Sequence, residues 1–187
     1  MMTNFTAGAF AAATLFVYLF VYTPLKRRST FNTVVGAVAG AIPPLIGWAA
    51  GEGDLLGMGA IFLFSLLFFW QLPHFAAINW MYREEYCRGG FVMWSNRDES
   101  GRKTARLALL FSSCLVAVAV WGGIAGITNW ISSIGIMILS ALMCYLAFLF
   151  WKSSQRTDAR KLFFFTLLYL PLAMVLGYLG WIVKNGI

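Results

Sequence analysis

LLGMGAIFLFSLLFFWQLPHFAAINW, residues 55–80, runs from end to end without a Lys, Arg, Asp or Glu. A bilayer span needs about 20 mostly apolar residues rising about 1.5 Å each, and this stretch is long enough. Its polar side chains, Ser65, Gln71, His74 and Asn79, are uncharged or weakly basic. Nothing in it alternates with period two, and only helices or closed barrels can satisfy their backbone inside lipid. The stretch therefore reads as a membrane helix. Similar runs occur at about 5–22, 33–50, 105–127, 131–151 and 162–183. The expectation is an all-α fold: a polytopic membrane helical bundle of six transmembrane helices, forming a single domain over 1–187.

Composition agrees. The chain has 187 residues, 60% hydrophobic and 11% charged, with a mean hydropathy of +0.76. A soluble domain carries about 25% charged residues. Net charge is +7, and of the 14 Lys and Arg all but Lys184 fall in or beside alternate loops at 23–32, 81–104 and 152–161. Alternate loops share one face of a membrane. The positive-inside rule places that face in the cytoplasm or the mitochondrial matrix, with both termini opposite. The charge thus reports topology, and nucleic acid is excluded as a partner. The first run has no preceding Lys or Arg, so it reads as a span rather than a signal peptide, and no transit peptide is read. Cys87, Cys114 and Cys144 form no Cys-x-x-Cys pair. Gly36/Gly40, Gly47/Gly51 and Gly122/Gly126 have the spacing that lets helices approach closely.

Three groups could carry chemistry. Lys26-Arg27-Arg28 follows Pro24 at a helix end. Such a cluster orients a helix or binds lipid phosphates, and equally suits a diphosphate ligand. Arg83-Glu84-Glu85-Tyr86-Cys87-Arg88 comes next on the same face. Glu84 and Arg88 are four apart and can pair on a helix. Alternatively, Glu84 and Glu85 hold Mg2+ beside a substrate phosphate, since Mg2+ commonly takes one or two carboxylates plus phosphate and water. His74 is the only histidine. It can hydrogen-bond a neighbouring helix, act as a base or meet haem iron. Asn32, Gln71 and Asn79 are further polar positions that can bond across helices. Pro43-Pro44 breaks a span internally.

Tyr22-Thr23-Pro24-Leu25-Lys26-Arg27-Arg28, Asn32, the run from Gly36 to Pro44, Gly47-Trp48, Pro73-His74-Phe75 and the run from Arg83 to Gly90 resemble, in order and spacing, the haem farnesyltransferases. This group, the protoheme IX farnesyltransferases or haem O synthases, sits within the intramembrane prenyltransferase superfamily. The resemblance is specific over about residues 4–106, and the later helices are compatible. It implies transfer of a farnesyl group from farnesyl diphosphate to a vinyl group of haem b, with addition of water. The products are haem O and diphosphate. Haem b is then a substrate, Mg2+ the cofactor on the diphosphate, and haem A synthase a partner that takes the product onward. The bilayer is that of a bacterial inner membrane in preference to the mitochondrial one.

By the same resemblance Lys26, Arg27, Arg28 and Arg88 meet the diphosphate. Glu84 and Glu85 hold metal, and Glu85 and Tyr86 are catalytic. His74 and Asn32 face the cavity or the haem. The family usually has Asp-Tyr where this chain has Glu85-Tyr86. It also has about nine helices and an earlier Asn-Asp-x-x-x-Asp motif, so the chain is expected to match the family from its fourth helix onward, as an N-terminally truncated piece. Two other readings compete: a related prenyltransferase with an aromatic acceptor, and a non-catalytic membrane fragment or assembly partner.

Overall fold

A computed structural model describes residues 4–51 and 53–185; Glu52, in the turn expected at 51–54, lies outside the described residues. Among the described residues, six helical stretches are long and apolar enough to cross a membrane: Phe5–Leu25, Asn32–Ala50, Met58–Met81, Arg102–Ile124, Trp130–Ser153 and Arg156–Lys184. All six expected spans are present. Boundaries moved where turn chemistry outweighed hydropathy. The fourth ends early because Gly126 turns the chain at φ 61°. The last starts early because Arg156–Lys161 is helical despite its charge, with Lys161 2.8 Å from Asp158.

The first span has three parts, and its proline explains them. Helix α1 (Phe5–Phe16) passes into a π-helical stretch (Val17–Tyr22) and then into the short α2 (Thr23–Leu25). Pro24 has no N–H and crowds the preceding turn. The chain there widens, and both the Thr23 N–H and Thr23 Oγ1 donate to the Tyr18 carbonyl five residues back. Asn4 caps α1 through Ala7 N, at 2.9 Å, and its amide donates 2.5 Å to the Ala49 carbonyl. The second span breaks at Ile42 into α3 (Asn32–Ala41) and α4 (Pro43–Ala50), where Pro43 and Pro44 open the second half.

Helix α5 (Met58–Met81) is the axis of the bundle, packing on α3, α7 (Arg102–Ile124) and α9 (Arg156–Asn185). Helices α7, α8 (Trp130–Ser153) and α9 run as consecutive neighbours. Burial of apolar surface does not drive helices together in lipid, so close packing and buried polar pairs matter more. Ser140 and Tyr169 meet at 2.9 Å between α8 and α9. Trp70 Nε1 donates 2.8 Å to the Thr166 carbonyl, joining α5 to α9. Gln71 Nε2 reaches the Ala37 carbonyl at 3.4 Å, joining α5 to α3.

The glycine pairs divide. Gly36 backs onto the Tyr22 ring, Gly40 onto Gln71, and Gly122 onto the Phe62 ring, whereas Gly47 has open space beside it. Gly122 gives a test whose sign is informative. Helix propensity alone favours Gly122→Ala by about 1 kcal/mol. A Cβ there would overlap the buried Phe62 ring, and overpacking costs about 1–3 kcal/mol. The expected result is a lower melting temperature for Gly122→Ala in detergent; an unchanged or higher one would mean that α5 and α7 are not in such close contact.

Candidate functional site

The site forms where the basic ends of three elements converge. Lys26 sits one residue beyond α2, and the π turn before it brings its amine over two rings: 4.4 Å from the Tyr22 centroid and 5.8 Å from that of Tyr18. Such contacts hold the amine where it meets the membrane surface. The long loop expected after α5 is substantially folded. Helix α6 (Arg83–Arg88) follows α5 directly, and the chain then turns through Gly90 at φ 71°. Val92 N donates 2.7 Å to the Lys26 carbonyl.

Asn32 secures this arrangement. It is 1% exposed. Its amide donates 2.6 Å to the Ser29 carbonyl and 2.6 Å to the Val92 carbonyl, sixty residues away in sequence. Thr33 Oγ1 lies 3.4 Å from its Oδ1. A side chain expected to face a cavity or haem therefore lines the cavity while spending both amide hydrogens on backbone. Ser95 Oγ donates 2.8 Å to the Asn79 carbonyl, tying the same loop to α5.

These bonds enclose a cavity of about 120 Å³ lined by Tyr22, Lys26, Asn32, Thr33, Phe75, Asn79, Tyr86, Phe91 and Met93. Among the described residues its lining holds one cation and no carboxylate. Burial, with a smaller contribution from Tyr82, pushes the Tyr86 phenol above its ordinary range. It stays a hydroxyl at neutral pH and can donate. The lining thus offers an ammonium, phenols and a carboxamide to an anion, with Phe75, Phe91 and Met93 as apolar walls. A separate apolar cavity of about 240 Å³ lies among Trp48, Phe62, Leu66, Met174, Tyr178 and Trp181.

The other expected residues are distributed differently. Arg27 and Arg28 are exposed beside Lys26. Glu84 and Arg88 approach to 3.9 Å, the pairing that their spacing allowed. Glu84 lies in a separate surface depression with Arg83, Cys87, Asn96, Asp98 and Glu99. Glu85 is exposed. His74 meets Thr166 Oγ1 at 2.8 Å and stacks between Trp70 and Phe163, with ring centroids 5.7 and 5.0 Å away. Thr166 Oγ1 also reaches the Phe163 carbonyl, at 2.5 Å. The helix-to-helix role is thus present.

Metal fit can be tested on the two glutamates. Neighbouring residues on an α-helix point about 100° apart, so Glu84 and Glu85 diverge, and Arg88 already engages Glu84. Among the described residues no group of three or more His, Cys, Asp or Glu side chains is arranged so that it could hold a metal ion. These residues do not by themselves build a Mg2+ site.

Sequence reasoning missed Tyr22, Thr33, Phe75, Phe91 and Met93 as cavity walls, and it weighed a bond across helices above a substrate contact for Asn79. The available signal was a polar residue near each of three helix ends on the basic face. The registration of the 91–93 segment over Lys26 had no local signal.

Comparison with known proteins gives a consistent account. The UbiA prenyltransferase family matches residues 1–169. A protoheme IX farnesyltransferase of Opitutus terrae is 43% identical over 169 residues, covering 90% of this chain and 57% of the relative. The mitochondrial protoheme IX farnesyltransferase of Homo sapiens is 40% identical over 173 residues, covering 92% of this chain and 38% of the relative. The chain thus spans between about two fifths and three fifths of the length of these relatives. A solved structure from work on digeranylgeranylglyceryl phosphate synthase in membranes superposes with a TM-score of 0.83 at 17% identity, covering 96% of this chain and 63% of that one. At that identity the likeness shows a shared fold. With six membrane-capable helices and membrane-enzyme relatives, this is a multi-pass membrane protein, and it belongs to the UbiA prenyltransferase family.

Proposed function

We propose that the chain is part of a haem farnesyltransferase, transferring the farnesyl group of farnesyl diphosphate to a vinyl group of haem b to give haem O. The relatives' names support the reaction, and one observation on this chain carries it: the cavity on the basic face presents Lys26 with no carboxylate among the described residues of its lining. In the proposed step the C–O bond of the allylic diphosphate breaks and its electron pair leaves with the diphosphate. The vinyl carbon then attacks the allylic cation, and water supplies the hydroxyl and releases a proton. The developing charge on the leaving group is what an ammonium and phenolic hydroxyls stabilise. Phe75, Phe91 and Met93 keep water from the cation. Arg27 and Arg28 raise the positive potential at the mouth.

The basic face is proposed to be the cytoplasmic one, in a bacterial inner membrane in preference to a mitochondrial one. The test is haem extracted from membranes in which this chain is joined to the preceding segment of the Opitutus terrae relative. Haem O is expected from the chimera, and at least about tenfold less from its Lys26→Gln form. Equal haem O from both would remove Lys26 from the reaction, and none from either would favour a non-catalytic chain.

A further inference from the structure

Asn79 lines the cavity with a buried amide nitrogen whose hydrogen bonding is incomplete. It lies near the C-terminus of α5 and is 4% exposed. Its backbone carbonyl is fixed by Ser95 Oγ at 2.8 Å. Its carboxamide nitrogen is buried and has no hydrogen-bond partner among the described residues. Asn32, by contrast, is 1% exposed and has both amide hydrogens placed on carbonyls. Burying an amide without a partner is costly, and native proteins rarely leave one so. A carboxamide that lines a cavity beside an ammonium and two phenols has an evident use.

We propose that Asn79 is a substrate-binding residue, donating through its carboxamide to the anionic end of the diphosphate that Lys26 receives. This rests on the diphosphate reading of the Lys26 cavity. Two donors of different kind then grip one leaving group from two elements. Lys26, from the end of the first span, supplies charge. Asn79, from α5, supplies direction, since an amide hydrogen bond is geometrically demanding. The ligand removes the buried unsatisfied group.

The consequence is opposite signs for stability and binding. Asn79→Ala takes away a donor that contributes nothing to the ligand-free fold, so the melting temperature without ligand stays the same or rises. Binding of the ligand weakens by about tenfold, one hydrogen bond to a charged group. Asn79→Asp keeps the shape, removes the donor and sets a carboxylate against an anion, and weakens binding further, by about a hundredfold.

The experiment is calorimetric titration of the purified chain in nanodiscs with inorganic diphosphate, with thermal unfolding of each variant measured without it. Weaker binding in both variants at an undiminished melting temperature for Asn79→Ala is the expected result. A lowered melting temperature for Asn79→Ala would make the residue a structural partner and overturn the proposal. Unchanged affinity in both variants, with the wild-type chain binding, would overturn it while leaving the Lys26 cavity as the diphosphate site. Failure of the wild-type chain to bind diphosphate would remove that reading and the proposal with it.

Discussion

Lys26→Gln weakens farnesyl diphosphate binding by about ten- to a hundredfold, while Arg27→Gln and Arg28→Gln each change it by less than about threefold. A hydrogen bond to a charged group contributes roughly 1.5–3 kcal/mol, and about 1.4 kcal/mol is a factor of ten in affinity. Lys26 lines the cavity, with its amine held over Tyr22. Arg27 and Arg28 are exposed. Their contribution is through the field at the membrane surface, which salt screens over about 10 Å at 0.1 M. Titration at low and high salt separates the two kinds of cation. The small losses at Arg27 and Arg28 should fade with salt, and the loss at Lys26 should persist. Equal losses at all three positions would mean that the cluster acts as an undivided patch.

Asn32→Ala gives the largest loss of stability expected from a single polar change, about 2–4 kcal/mol. It removes two hydrogen bonds of 2.6 Å and takes from the half-buried Val92 carbonyl the amide that satisfies it, while the Ser29 carbonyl keeps the Asn32 backbone N–H at 3.2 Å. One of those bonds holds residue 92 against α3, and Phe91 and Met93 on either side are walls of the cavity. Diphosphate binding should therefore weaken along with the melting temperature. Asn32→Asp should be worse, since it aims a buried carboxylate at two carbonyl oxygens. Hydrogen exchange is the local check: amides at 91–93 should lose protection in Asn32→Ala at a temperature where α8 keeps its own. Loss of binding with protection at 91–93 intact would instead give Asn32 a direct role toward substrate.

Much of this was legible in the residues. Six spans followed from hydropathy and length, because lipid leaves the backbone few choices. The break at Pro43-Pro44 and the Glu84–Arg88 pair followed from local rules. The site was legible in part. Lys26, Asn32 and Tyr86 were singled out, and the structure places all three on one cavity. What sequence could not divide was the run Lys26-Arg27-Arg28, where three similar cations are adjacent and only the π turn ahead of Pro24 decides which one turns inward. Nor could it foresee that a loop sixty residues on would close over Asn32, since that contact depends on the fold as a whole. His74 was open between several roles, and its hydrogen bond to Thr166 supplies the link between helices.

The central claim is that the diphosphate end of the substrate enters the Lys26 cavity and not the apolar cavity near Trp48 and Trp181. The most direct measurement is photo-crosslinking of the membrane-embedded chain with a farnesyl diphosphate analogue that carries its reactive group beside the diphosphate, followed by mass spectrometry. Adducts on Tyr22, Tyr86 or Phe91, competed away by inorganic diphosphate, are the predicted result. Adducts confined to residues such as Phe62, Met174 and Tyr178, and insensitive to diphosphate, would contradict it.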